Sequence, residues 1–279
     1  MIQQNFNANW RFCKDEGKFD DITLPHDAML EEDRIPDLIA GENSAYFPGG
    51  KYVYEKNFDI PEETECVQIY FDGIYQKAKI ELNGEQIGEQ INGYTGFFVD
   101  LTEHMLHGST NRLRVTADNT QIPNSRWYTG SGIYRDVTLF TGNRLHIRPK
   151  GIEVRTIDEK EAEIEIHICV EGMSEEDRNG ISFEFKISDM SHRPQDFEIA
   201  DQRWTERDYT VRMKQSAAQA WSCEDPVCYV LEVKMIKGIA ADVQTVRYGL
   251  RKLTWDPEKG MAVNGKEKKL RGACIHHDN

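Results

Sequence analysis

The 279-residue sequence lacks the features of a membrane or secreted protein. No apolar run approaches the roughly 20 residues of a transmembrane helix, and the polar stretch after Met1 is unlike a signal peptide. The six cysteines form no CxxC pair and no N-x-S/T sequon occurs, which favours free thiols over a disulfide framework. We therefore predict a cytoplasmic protein without a membrane partner.

Basic residues are outnumbered, since 34 Lys and Arg stand against 48 Asp and Glu and give a net charge of −14. A chain this acidic is repelled by a phosphate backbone, so nucleic acid is not an expected partner. The remaining composition, with 39% hydrophobic and 29% charged residues, is that of an ordinary globular protein. The length suggests two domains, each able to bury its own core.

The sequence motifs of several large enzyme classes are also absent. There is no GxSxG, P-loop, GxGxxG or HExxH motif, which argues against the usual serine hydrolases, nucleotide-binding enzymes and zinc proteases. His276, His277 and Asp278 are consecutive, and neighbouring side chains on a strand point to opposite faces, so we predict no metal site there. We predict no cofactor for this chain, and we interpret Cys223 and Cys228 as partly buried thiols beside a turn.

Alternation of apolar and polar residues predicts β-strands throughout. Ala78-x-Ile80-x-Leu82 runs into Asn83-Gly84, a dipeptide suited to a tight hairpin turn because both positions tolerate positive φ. The same period continues at Leu113-x-Val115-x-Ala117 and Val137-x-Leu139. We predict short antiparallel strands up to about Gly142, with one sheet face buried and one exposed to water.

A second block of alternating residues begins near Leu145. Its longest pattern runs from Ala162 to Val170, and further strands are predicted at Phe183-x-Phe185-x-Ile187, Tyr209-x-Val211-x-Met213, Leu231-x-Val233-x-Met235 and Val246-x-Tyr248-x-Leu250. Only Ala217–Trp221 has helix-forming composition, and it is too short to stand alone. Beyond these, Met261-Ala262-Val263, Asn264-Gly265 and Lys269-Leu270 predict one more hairpin, followed by an apolar strand up to Ile275.

The most distinctive stretch runs from Asn124 to Val137 and reads NSRWYTGSGIYRDV. Trp and Tyr offer flat faces for a pyranose ring, Asn and Arg can bind hydroxyl groups, and glycine lets the backbone approach closely. The alternative is a glycine-bearing turn whose aromatics only stabilise packing, and composition alone favours this alternative. We expect Trp127 and Arg135 to support the architecture, with Trp127 buried.

This stretch resembles the RWYPGSGIYR motif in the jelly-roll domain of glycoside hydrolase family 2, which contains β-galactosidases, β-glucuronidases and β-mannosidases. Other segments resemble the family's motifs in the same order, namely Trp10 with Leu24-Pro25-His26-Asp27-Ala28, Phe71-Asp72-Gly73-Ile74-Tyr75, Leu82-Asn83-Gly84, Gly93-Tyr94-Thr95-Gly96-Phe97, Asp100-Leu101-Thr102, Trp221-Ser222 with Pro226 and Tyr229, Tyr248-Gly249-Leu250-Arg251, Asn264-Gly265-Lys266 and Leu270-Arg271-Gly272-Ala273-Cys274-Ile275-His276-His277-Asp278. Several motifs in one order are more specific than any one of them.

The resemblance implies an all-β fold. It predicts a galactose-binding-like jelly-roll sandwich over residues 1–142 and an immunoglobulin-like sandwich over 143–250. Residues 251–279 would be the truncated start of a (β/α)8 catalytic barrel, which as a whole needs roughly 250 residues. Family members hydrolyse glycosides with retention through two carboxylates about 5 Å apart, which lie on later barrel strands. We therefore expect no catalytic residue in this chain, and we interpret Glu62-Glu63 and Glu175-Glu176 as solvated surface.

The resemblance also implies three substrate contacts, at Asn124, Arg126 and His276. We predict the non-catalytic part of a β-galactosidase-like retaining enzyme that acts on terminal β-glycosides, with a carbohydrate substrate and a homo-oligomeric state in the longer protein. The alternative is a stand-alone carbohydrate-binding module without hydrolase activity. The choice among galactose, glucuronate and mannose stays open, because the pocket that selects the sugar lies mostly in the barrel.

Overall fold

A computed structural model describes residues 1–15, 17–125, 127, 129–174, 176–205 and 208–274. Their regular structure consists of antiparallel strands and four short 3-10 helices, Ala28–Glu31, Gly41–Ser44, Thr102–His104 and Asp177–Gly180. The chain divides into two compact units, Ile2–Asn143 and a second unit that begins at Arg144. None of the described helices has the length and apolar character needed to cross a membrane.

The first unit is a sandwich of two antiparallel sheets. Its described residues form the strands β1 (Ile2–Asn5), β2 (Trp10–Lys14), β3 (Asp20–Ile22), β4 (Lys51–Asp59), β5 (Cys66–Phe71), β6 (Ala78–Leu82), β7 (Glu85–Gln90), β8 (Phe97–Asp100), β9 (Thr110–Asp118) and β10 (Val137–Gly142). One sheet has the order β1-β10-β5-β8 and the other β3-β2-β4-β9-β6-β7. The jelly-roll prediction is confirmed.

The hairpin predicted at Asn83-Gly84 is present between β6 and β7. Asn83 and Gly84 have φ values of +53° and +91°, the two positive values that a type I′ turn requires. Ile80 and Leu82 on β6 are fully buried, and so are Leu113 and Val115 on the neighbouring β9. The alternation thus placed each apolar side chain on the core face of the sheet.

Trp10 lies at the centre of the first core. Its side chain is 0% exposed, and its ring meets the ring of Phe6 edge to face at 6.2 Å between centroids. The indole Nε1 donates a hydrogen bond of 2.8 Å to the Phe6 carbonyl oxygen. The one polar group of this large side chain is therefore satisfied inside the core.

The second unit contains an immunoglobulin-like sandwich, which confirms the second fold prediction. Its strands are β11 (His146–Asp158), β12 (Glu163–Glu171), β13 (Ile181–Asp189), β14 (Pro194–Gln195), β15 (Phe197–Trp204), β16 (Asp208–Gln215), β17 (Tyr229–Lys237) and β18 (Ala240–Tyr248). The two sheets have the orders β11-β12-β16-β15 and β14-β13-β17-β18. Ile164, Ile166 and Ile168 of β12 are fully buried, as the alternation predicts. Residues 217–221 form no helix.

A small three-stranded sheet follows, formed by β19 (Leu253–Asp256), β20 (Gly260–Val263) and β21 (Lys266–Glu267). The predicted turn at Asn264-Gly265 is correct, but placing its second strand at Lys269-Leu270 was wrong. Because the turn contains only Asn264 and Gly265, the next strand begins directly after it, and Val263 pairs with Lys266. The predicted apolar strand is also absent from residues 268–274, while 275–279 lie outside the described residues.

Candidate functional site

The motif from Asn124 to Val137 is fastened to the jelly-roll core at Gly132. The Gly132 N–H donates to the Tyr75 carbonyl oxygen at 2.6 Å, and the Tyr75 N–H donates to the Gly132 carbonyl oxygen at 2.9 Å. Gly132 has a φ of +93°, and a Cβ at this position would overlap the Tyr54 hydroxyl. Glycine is therefore needed here both for the backbone conformation and for the close approach.

Asp27 makes a second attachment, from a part of the chain about a hundred residues away. Its Oδ1 accepts hydrogen bonds from the Ser131 N–H at 2.8 Å and from the Met29 N–H at 3.0 Å. The neighbouring Gly130 has no room for a Cβ because the Asp27 carboxylate occupies that space. The Leu24-Pro25-His26-Asp27-Ala28 motif thus positions the distinctive stretch, a role that its sequence alone did not reveal.

Three aromatic rings and one carboxamide converge beside these attachments, and we call Tyr75, Tyr94, Asn124 and Trp127 the aromatic loop cluster. The Trp127 Nε1 donates to the Tyr94 hydroxyl at 2.9 Å, and the Tyr94 ring meets the Tyr75 ring at 5.4 Å and 64°. Trp127 is 49% exposed and Tyr94 is 48% exposed. Two hydrogen-bonded aromatic side chains therefore remain accessible to a ligand.

Asn124, one of the three predicted contacts, is exposed at the edge of this cluster. Its Oδ1 accepts from the Tyr75 hydroxyl at 2.9 Å, and its Nδ2 donates to Asn119 Oδ1 at 2.5 Å. These bonds fix the orientation of the carboxamide and leave its second N–H to donate elsewhere, because an amide nitrogen carries two protons. Burial raises the pKa of Tyr75, which keeps this phenol protonated as a donor.

Two residues at the end of the motif support the loop that carries Tyr94. The Tyr134 hydroxyl donates to the Gly93 carbonyl oxygen at 2.8 Å, and Arg135 Nη1 donates to the Tyr94 carbonyl oxygen at 3.2 Å. The Arg135 guanidinium also lies over the Tyr134 ring at 5.0 Å. Arg135 therefore has the architectural role expected of it.

Of the three predicted contact residues, the structure describes only Asn124. Arg126 and His276 lie outside the described residues. The expectation that Trp127 is buried was wrong, because half of its surface faces solvent. Tyr75 and Tyr94 were not predicted as part of a site, although both stand in segments that resemble family motifs. Among the described residues, no group of three His, Cys, Asp or Glu side chains could hold a metal ion.

The exposure of Trp127 changes the expected effect of its removal on stability. We expect Trp127→Ala to lower the free energy of unfolding by about 1–2 kcal/mol, less than a core tryptophan, because about half of the side chain remains in water. Denaturant unfolding followed by circular dichroism would measure the change. A loss of about 3 kcal/mol or more, the cost typical of a core tryptophan, would contradict the exposed position.

The fold and the site define a jelly-roll domain with an accessible aromatic cluster at its loops. Residues 10–150 match the family model described as the glycosyl hydrolase 2 galactose-binding domain-like domain. This match spans half of the sequence and includes every residue of the aromatic loop cluster. The chain belongs to glycoside hydrolase family 2.

Individual relatives agree with this assignment. A β-galactosidase of Bacteroides ovatus is 31% identical over 99% of this chain, which covers 34% of the relative. The solved structure of a β-glycosidase from Bacteroides vulgatus has a TM-score of 0.84 at 27% identity. The match covers 99% of this chain and 37% of the β-glycosidase chain. The solved structure of a glycosyl hydrolase family 2 member from Bacteroides cellulosilyticus has a TM-score of 0.81 at 27% identity. That match covers 100% of this chain and 39% of the hydrolase chain. The chain thus spans about a third of the length of the relatives it matches.

Proposed function

We propose that this chain forms the non-catalytic N-terminal part of a retaining glycosidase that hydrolyses terminal β-galactosides. The observation that carries the proposal is the exposed Trp127–Tyr94 pair beside the oriented carboxamide of Asn124, on a domain of this family. The catalytic carboxylates would belong to the length of the relatives that this chain does not span. A cytoplasmic homo-oligomer stays a prediction.

The chemistry of the aromatic loop cluster suits a sugar. A pyranose ring has an apolar face of C–H groups that packs on an aromatic ring, and its hydroxyls need directional partners. Trp127 and Tyr94 supply the ring faces, and the remaining N–H of Asn124 supplies a donor. Arg126, which adjoins Trp127 in sequence, and His276 stay predicted contacts of the same substrate.

The choice of galactose rests on similarity and is open to a direct test. The Bacteroides ovatus relative is named a β-galactosidase, whereas a Formosa agariphila relative at 26% identity is named a putative β-glucuronidase. We propose the galactoside first, with the glucuronide as the competing substrate. Comparing hydrolysis of p-nitrophenyl β-galactoside with that of p-nitrophenyl β-glucuronide by the longer enzyme would decide between them.

The 279-residue chain alone is expected to release no p-nitrophenol from either substrate, because retaining hydrolysis needs an acid/base and a nucleophile. The longer enzyme is expected to turn over one of them, as measured by absorbance of the released phenolate. Turnover by the short chain that disappears on a point mutation within it would overturn the proposal. A longer protein that binds galactosides without hydrolysing any glycoside would favour the carbohydrate-binding module instead.

Substrate contact at the aromatic loop cluster predicts a kinetic effect in the longer enzyme. Asn124→Ala is expected to lower kcat/KM. The loss of transition-state stabilisation should be about 1–3 kcal/mol, because a substrate hydroxyl is left without its partner. Trp127→Ala should act in the same direction, while Trp127→Phe keeps an aromatic face and should retain most of the activity. Asn57→Ala, at an exposed position of β4, is the matched control. Unchanged kinetics in both alanine variants would leave the cluster with a structural role only.

A further inference from the structure

A groove lies on the outer face of the larger jelly-roll sheet, on the side away from the core. The register places Val53 of β4, Thr116 of β9 and Lys79 of β6 in one row across the sheet. Val53 and Thr116 are short, whereas Lys51, Arg112, Arg114 and Lys79 around them are long. This difference in side-chain length produces a groove of about 570 Å³, which we call the sheet groove.

The groove is bordered by an unusual concentration of arginine. The buried side chain of Glu55, 5% exposed, is approached by Arg11 at 2.8 Å, by Arg112 at 3.1 Å and by Arg114 at 3.3 Å. Arg112 is the most accessible of the three, since 58% of its side chain is exposed, and its guanidinium therefore faces solvent as well as Glu55.

Two lysines also line the groove, and each stands beside a carboxylate. Lys51 lies 3.8 Å from the Asp118 carboxylate, at the limit of an ion pair, and Lys79 lies 2.9 Å from Glu81. The groove lining carries four basic and two acidic side chains, and together with the ion-pair partners Arg11, Glu55 and Asp118 the balance is five basic to four acidic, in a chain whose net charge is −14. The sheet groove is therefore slightly positive in a protein that is acidic as a whole.

We propose that the sheet groove binds an acidic saccharide through carboxylates on successive sugar residues. Arg112 and Arg114 both reach Glu55 Oε1, and Lys79 stands on the neighbouring strand, about 4.8 Å away, so the groove offers two cationic positions, the arginine pair and Lys79. Guanidinium groups match carboxylates in shape, and the groove volume lies within the range of small-molecule sites, about 300–1,000 Å³. Nucleic acid is disfavoured because the overall charge repels a long polyanion.

This site is distinct from the aromatic loop cluster and does not depend on the proposed hydrolytic substrate. Its cationic groups, register and volume come from the first unit alone. Several kinds of organic acid carry carboxylates. We propose a saccharide because the chain belongs to a glycosidase family. Binding at the groove can therefore be measured on the 279-residue chain without any enzyme assay.

Titration calorimetry of the 279-residue chain with trigalacturonate would test the proposal, with neutral galactotriose as the size-matched probe. We expect trigalacturonate to bind and galactotriose to bind at least tenfold more weakly. Affinity should fall as sodium chloride rises from 20 to 150 mM, because exposed charges are screened. The double variant Lys79→Gln/Arg112→Gln should weaken trigalacturonate binding at least tenfold, and both side chains are exposed enough to be replaced without unfolding.

The matched control replaces two exposed lysines of the second unit, Lys186→Gln and Lys234→Gln, which make comparable cross-strand ion pairs with Glu232 and Glu184. This control changes the net charge by the same amount and should bind trigalacturonate like the parent. Equal weakening in both double variants would mean that overall charge, and not the groove, governs binding, and would overturn the proposal. Binding of inorganic sulfate as tightly as trigalacturonate would overturn the saccharide assignment.

Discussion

Replacing Gly132 with alanine is expected to lower the free energy of unfolding of the first unit by about 2–5 kcal/mol, from two separate causes. The φ of +93° is unfavourable for any residue with a Cβ, at about 1–2 kcal/mol. The added methyl group would also overlap the Tyr54 hydroxyl in a fully buried region, and overpacking costs about 1–3 kcal/mol. Denaturant unfolding, with hydrogen exchange at the β4 and β9 amides to isolate this unit, would measure the loss.

The matched control is Gly84→Ala in the β6–β7 hairpin. Gly84 has nearly the same φ, +91°, but no described heavy atom would lie within 4 Å of its Cβ. We expect this variant to lose only about 1–2 kcal/mol, the backbone contribution alone. Equal losses at the two glycines would show that the contact with Tyr54 contributes nothing. In a Tyr54→Phe background, the cost of Gly132→Ala should shrink because the overlapping oxygen is gone.

Trp10→Ala is expected to destabilise the first unit by about 3–5 kcal/mol, because it leaves a large cavity in a well-packed core. The loss should lie near the upper end of this range, since the Phe6 carbonyl oxygen also loses its indole donor. The same unfolding and exchange measurements apply. Trp127→Ala, in the same unit but at a half-exposed site, is the control, and Trp10→Ala must cost clearly more. Similar losses for the two variants would contradict the burial of Trp10 in the core.

The sandwich folds were predictable because the pattern that specifies a strand is local. Ile164, Ile166 and Ile168 alternate with polar residues, and a period of two can bury only one face of a sheet. Asn83-Gly84 likewise specifies its turn through the φ values that these two residues tolerate. The order of family motifs then identified which sandwiches these strands build, since alternation alone does not set the pairing of distant strands.

The candidate site was less predictable because its geometry depends on distant contacts. Trp127 is half-exposed and Trp10 is buried, yet the residue type is the same, and burial is set by the loops that surround each ring. The pairing of Asp27 with the Ser131 N–H spans 104 positions, and no local pattern indicates it. Lys269-Leu270 was wrongly predicted as a strand for a related reason, because the position at which strand pairing resumes depends on the type of turn.

The sheet groove was not predictable either. It depends on which side chains lie in one row across the sheet, and this row is known only when the register of strand pairing is known.

The attachments of the distinctive stretch also make the aromatic loop cluster depend on complete folding of the first unit. Asp27, Tyr75 and Gly132 come from widely separated parts of the chain, and their contacts close long loops whose entropy must be lost before the site exists. A partly folded chain therefore presents neither the paired rings nor the oriented amide. A bound sugar would select the fully assembled unit and stabilise it by mass action, so a destabilised core variant could be recovered by ligand although no core residue touches it.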